Sequence, residues 1–223
     1  MPGAESLGMR NTQNHLNASA RRMRIAFVSS VCALAACVLP ASALGANDTT
    51  QFSVTPGALT FTSAPDYPNL GTLTLNGQSQ TLTAQMGNFT VADATGSGAG
   101  WNVTVVGDST AGKSPVFKRW TGSAYGSEAL PANSLTLSST GASFSAQNGT
   151  TGTAPTHSCG SGCFVDSASP VKLAAAAVNG GMGTYATSGY GASSLSLITP
   201  TTVKAIGADV YRLDLVSTVN SGP

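Results

Sequence analysis

Met86-Gly-Asn-Phe-Thr-Val-Ala-Asp-Ala-Thr-Gly-Ser-Gly-Ala-Gly-Trp-Asn-Val-Thr-Val105 decides the fold class. Apolar and hydroxyl-bearing residues alternate over 88–92 and again over 101–106, and a glycine-rich stretch at 93–100 separates the two runs. A period of two puts alternate side chains on one face of a strand, whereas a helix needs apolar residues three and four apart. Both runs are therefore expected as strands with one buried face. Met86-Gly87-Asn88 has the chemistry of a hairpin turn joining the run at 80–86 to the next. The stretch 93–100 reads as a flexible connection, because a phosphate-cradling loop would need a Lys, a following helix and a preceding parallel strand.

The same alternation recurs on both sides of this stretch. Further strands are expected at 52–54, 59–62, 71–75, 134–138, 142–146, 171–178, 195–198 and 210–219. In Leu73-Thr-Leu75, Leu135-Thr-Leu137 and Leu195-Ser-Leu197 the leucines share one face and the hydroxyls the other. The alanine-rich run at 173–178 is long enough for a helical turn, but Asn179-Gly-Gly181 stops it, and it reads as strand. The expected architecture is all-β: an antiparallel β-sandwich or Greek-key barrel forming a single domain over 47–223. The stretch 107–133, with Trp120, Tyr125 and two prolines, is expected as an excursion, and 150–170 as a second loop.

Residues 1–46 read as an export segment. Arg21-Arg22-Met23-Arg24 precedes an apolar run from Ile25 to Leu39, followed by Pro40-Ala-Ser-Ala-Leu-Gly-Ala46. That order of basic, apolar and small residues is the pattern of a secretory signal, with cleavage after Ala43 or Ala46. The apolar run is shorter than the ~20 residues that span a bilayer, so no retained transmembrane helix is expected. Leu34-Ala-Ala-Cys37 also fits a lipobox, in which Cys37 would be lipidated. The continuing Val38-Leu39 and the later Ala-Ser-Ala favour ordinary cleavage.

Charged residues make up only 9% of the 223-residue chain, and the formal net charge is +1. Four of the ten basic residues and one of the nine acidic residues precede Ile25, leaving six against eight. This balance argues against a nucleic-acid partner and against a polybasic membrane-surface mode, both of which need a Lys/Arg surface. Of four cysteines, Cys32 and Cys37 fall in the export segment. Cys159-Gly-Ser-Gly-Cys163 remains and is expected as a disulfide in an exported chain. A zinc site needs about four ligands, and His157 adds only one, so neither metal nor cofactor is expected. The sole histidine beyond the export segment sits in a Gly/Ser/Thr loop away from any acid, and no carboxylate pair stands out. A binding or structural role is expected rather than an enzyme.

The stretch 86–105, with its strand, Asp93, glycine-rich turn, Gly100-Trp101 and following strand, resembles the core of the WxL domain. The closing Ala208-Asp-Val-Tyr-Arg-Leu-Asp-Leu-Val-Ser-Thr-Val-Asn-Ser-Gly-Pro223 is similar to that family's last strand, and Ser134-Leu-Thr-Leu137 and Phe52-Ser-Val-Thr-Pro-Gly57 also fit. The resemblance implies a secreted, all-β module of the cell wall or cell surface of Gram-positive bacteria that binds peptidoglycan non-covalently. Two departures stand out: Val103 replaces the Leu of the first motif, and Ser217 falls where the second motif has Trp. The ligand-contact residues proposed on this basis are Trp101, Asn102 and Val103, with Trp120 and Tyr125 as loop-borne additions. An indole ring suits a glycan or peptide stem, though Trp101 equally fits a core position between sheets. The residues up to Pro223 carry no sorting motif or apolar tail, so attachment is expected through surface contacts. The alternative is a structural or adhesive surface protein contacting other exported proteins without binding the wall directly.

Overall fold

Where β-branched, leucine and hydroxyl residues alternate, the chain builds strands, and among the residues described by the computed structural model, 49–223, there is no helix. The chain divides by its contacts at Gln51/Phe52, and all fifteen strands lie in the second unit, Phe52–Pro223. The residues read as an export segment, the expected cleavage positions and Cys37 lie outside the described residues.

Numbered in chain order, the strands form four antiparallel sheets. One runs β1 (Leu59–Ser63), β3 (Thr90–Asp93), β12 (Gly183–Ser188) and β8 (Ser143–Gln147). A second runs β10 (Cys163–Phe164), β7 (Leu135–Leu137), β13 (Leu195–Thr199) and β2 (Gln80–Ala84). A third runs β15 (Leu215–Ser221), β4 (Trp101–Gly107), β11 (Val171–Ala176) and β9 (Thr156–His157). The smallest runs β14 (Val210–Arg212), β5 (Lys118–Trp120) and β6 (Tyr125–Ala129). The three larger sheets share one core, so the fold is an all-β antiparallel sandwich.

The alternation that marks β4 in the sequence is its burial pattern: Trp101, Val103, Val105 and Gly107 point inward, and Asn102, Thr104 and Val106 outward. Leu135 and Leu137 of β7, Leu195 and Leu197 of β13, and Leu173, Ala174 and Ala176 of β11 fill the same core. Val171–Ala176 is strand, as read. The chain then turns at Asn179 and Gly181, both at positive φ.

Several expectations are corrected. Met86-Gly87-Asn88 is not a hairpin turn: β2 pairs with β13, while β3 pairs with β1 and β12, so the segment carries the chain from one sheet to another. Met86 is buried, its N–H donating to Ser194 Oγ at 2.8 Å, and Gly87 donates to the Asp66 carbonyl at 2.9 Å. The stretches 52–54 and 71–75 have the alternation of strands but no ladder partner. The run 210–219 breaks at Leu213-Asp214 into β14 and β15, which join different sheets. The stretch 107–133 contains β5 and β6, and 150–170 contains β9 and β10. The connection 93–100 is pinned rather than slack. Asp93 Oδ1 accepts hydrogen bonds from the Thr95 N–H and hydroxyl, the Gly98 carbonyl accepts from Asn179 N–H, and the Gly100 carbonyl accepts from Gly222 N–H. Gly100, at φ +75°, lies so close to the chain that a Cβ there would stand 2.5 Å from the Ala176 carbonyl oxygen.

Candidate functional site

The five residues proposed for ligand contact separate into two groups. Trp101 and Val103 are both 0% exposed. Trp101 packs edge-on to Phe144 with ring centroids 6.2 Å apart, and its Nε1–H donates to the Gly181 carbonyl at 3.0 Å. Neither indole face nor indole N–H is therefore presented to a ligand. The contact role of Trp101 and Val103 is corrected to a core role, because strand alternation turns both inward. Asn102 faces outward, but its side chain is engaged within the sheet: Nδ2 donates to the Gly222 carbonyl at 2.7 Å, and Oδ1 accepts from Asn220 at 3.3 Å.

Trp120 and Tyr125 do come together, on the smallest sheet. They face each other across the β5–β6 ladder, at the loop end of a hairpin whose loop is closed by the Thr121 N–H donating to the Ala124 carbonyl at 3.0 Å. The rings are tilted with centroids 4.8 Å apart, and the Arg212 guanidinium lies 4.6 Å from the centre of the Trp120 ring. A cation over an indole face contributes about 0.5–1 kcal/mol at a site this open. Both aromatic residues remain partly exposed.

Asp214, at the break between β14 and β15, organises this cluster. Its Oδ1 accepts from Arg212 Nε at 3.0 Å and Nη2 at 2.6 Å, and its Oδ2 accepts from the Ser114 N–H at 3.1 Å and from the Tyr125 hydroxyl. Lys113 Nζ stands 3.8 Å away. Burial pushes the Asp214 carboxyl upward, but the hydrogen bonds from Tyr125, Arg212 and Ser114 outweigh it and hold the group below the usual carboxylate range. Burial, reinforced by that carboxylate, pushes the Tyr125 phenol up to about 12. The cluster thus carries a fixed carboxylate, a fixed guanidinium and a neutral phenol near neutral pH. Arg119 donates through Nε to Asp209 at 2.6 Å and lies 3.5 Å from Glu128 through Nη1, so one guanidinium is shared between two carboxylates.

Cys159 and Cys163 form a disulfide with Cα atoms 5.2 Å apart. Cys163 lies on β10 opposite Leu137, so the bridge secures the edge of the β10–β7–β13–β2 sheet. Next to it His157 stacks on Phe144 at 4.6 Å between ring centroids, with Nδ1 3.4 Å from the Tyr190 hydroxyl. At Ser217, where the family resemblance expects a tryptophan, the hydroxyl bonds the Tyr67 hydroxyl at 3.0 Å.

The residues missed by sequence reasoning are Arg212, Asp214 and Lys113. Lys113 lies about 100 residues before the other two, and only the pairing of β14 with β5 brings Arg212 beside Trp120. Comparison with protein-family models, curated proteins and solved structures finds no match.

Proposed function

We propose that the chain is an exported cell-surface module that binds peptidoglycan without covalent linkage, and that the contact is made by Trp120 and Tyr125 rather than by Trp101. The observation that supports this reading is the partly exposed aromatic pair on the smallest sheet, fixed by Arg212 and Asp214. Aromatic rings offer their surface to sugar C–H groups, and a pre-ordered pair loses little side-chain entropy on binding. Its location in the cell wall, the secretory signal and the resemblance to the WxL domain belong to the same proposal.

The test is co-sedimentation of the protein with purified Gram-positive wall. Wild type pellets with the wall, Trp120→Ala loses most of that binding while keeping its circular dichroism spectrum, and a folded Tyr125→Phe retains it. Absence of wild-type binding ends the proposal, and undiminished binding by a folded Trp120→Ala moves the contact elsewhere.

A second reading, adhesion to other exported proteins, has its own support. Phe164 is 50% and Ile198 52% exposed on the β10–β7–β13–β2 sheet, beside Thr136 and Thr81 on neighbouring strands. Exposed apolar side chains on a sheet that ends in short edge strands suit contact with another protein.

A further inference from the structure

The leucine faces of β2, β7 and β13 do not close completely against the rest of the core. Between them and the segments 67–75 and 203–215 lies a cavity of about 820 Å³. Its wall is mostly hydrocarbon, from Leu70, Leu73, Leu82, Leu135, Leu197 and Ile206. Leu75, which also lines it, is 45% exposed, so the cavity reaches the surface. Three of the hydroxyls that line it are occupied: Tyr67 is bonded to Ser217, Thr199 donates to the Gln80 carbonyl at 2.9 Å, and Tyr211 donates to the Lys204 carbonyl at 3.1 Å.

The charges at the rim are not equivalent. Asp209 is held by Arg119, and Arg212 by Asp214. Lys204 lines the cavity, is exposed, and has no ion-pair partner among the described residues. An apolar chamber within the ~300–1,000 Å³ typical of ligand sites, with one uncommitted cation at its mouth, is complementary to a hydrocarbon chain that ends in an anion. We propose that this cavity binds a free fatty acid, its chain lying among the leucines and its carboxylate on Lys204. The proposal does not rest on wall binding, although β14 of the smallest sheet lends Val210, Tyr211 and Arg212 to the cavity wall.

Calorimetric titration of the full chain with dodecanoate, below its micelle concentration, and with dodecanol tests it. Wild type should show saturable binding of dodecanoate. Leu82→Trp and Leu73→Trp fill the chamber without introducing charge and should weaken binding by about tenfold or more. Leu73 lies outside every strand, so Leu73→Trp decides the matter if Leu82→Trp disturbs the fold. Lys204→Gln, at an exposed position, should weaken dodecanoate about tenfold and leave dodecanol unchanged. The apolar run at 25–39 is identical in every variant, so binding there would persist in all of them. Three results each overturn the proposal: no saturable binding, unchanged affinity in a folded Leu73→Trp, or equal effects of Lys204→Gln on acid and alcohol. Binding of phosphatidylglycerol vesicles without binding of the free acid overturns it as well.

Discussion

Gly181 and Trp101 depend on each other. The Gly181 carbonyl takes the indole N–H, and a Cβ on Gly181 would lie 2.6 Å from Trp101 Nε1 and 2.3 Å from the Ala176 Cβ. The backbone there is also left-handed, at φ +70°. Gly181→Ala therefore combines overpacking with backbone strain and should cost about 3 kcal/mol in urea unfolding; a loss below about 1 kcal/mol would show that the turn can move aside. His157 gives a second prediction at this scale. Burial lowers its pKa, against a smaller opposing hydrogen bond to the Ser143 backbone. Below about pH 6.5 the unfolded chain takes up a proton that folded His157 resists, so this group removes stability as pH falls from 6.5 toward its depressed folded value. Buried Asp166 works the other way: its carboxyl is raised by burial, so its contribution to stability is present at low pH and is lost as pH rises above the ordinary carboxylate value. Comparing wild type with His157→Phe isolates the histidine. The variant should lose less stability between pH 7 and pH 5, and parallel profiles would remove His157 as the cause. At the level of residues, the sequence identified Trp101 as special but left its role open. A strand position inside the β4 alternation and an exposed stacking position both carry an aromatic residue, and only burial separates them.

Strands were legible where apolar residues were large. β4, β7 and β13 alternate Trp, Val or Leu with Asn, Thr or Ser, and each is where the sequence expects it. Gly-Thr-Tyr-Ala-Thr-Ser at β12 hides the same alternation behind small residues, although Tyr185 and Thr187 are buried. The break between β14 and β15 was not legible, since Leu213-Asp214 has no turn signature. What ends the run is Asp214 turning to gather Arg212, Tyr125 and Ser114, and none of those partners is local to it except Arg212. The two-residue β10 shows how a short element is kept in place. Its pairing with β7 covers only Cys163–Leu137 and Phe164–Thr136, and the disulfide ties it back to the buried Cys159. Because the bridge closes only a short loop, replacing both cysteines by serine should cost at most about 2 kcal/mol of global stability. Amide exchange at Phe164 should meanwhile accelerate strongly relative to β4, because local opening needs only this edge to detach. Equal acceleration throughout the core would mean that the bridge stabilises the whole sandwich.

Across the whole molecule, the class of fold follows from repeated alternation, but the order of strands within sheets does not. β3 lies between β1 and β12, and β4 between β15 and β11, so each sheet joins segments far apart in sequence. No local signal specifies such partners, which is why Met86-Gly87-Asn88 resembled a hairpin and the cluster around Trp120 could be named only in part. The proposed wall contact also belongs to this scale. After Ile25 the chain has six basic and eight acidic residues, and at the smallest sheet Arg119, Asp209, Glu128, Arg212 and Asp214 are engaged with one another. A surface with little uncommitted charge has few counterions to release, and aromatic stacking on a glycan is not screened by salt as a Lys/Arg-driven contact is. Wall binding should therefore survive transfer from low salt to about 1 M, where the screening length falls to about 3 Å. Trp120→Ala should lose binding at both salt concentrations, because the contact that it removes is not ionic. Trp101→Ala should lose about 4 kcal/mol of stability, and any loss of wall binding should follow its loss of fold. Wild-type binding that disappears in high salt while the fold persists would assign the contact to ionic groups such as Lys118 or Arg212 rather than to the aromatic pair.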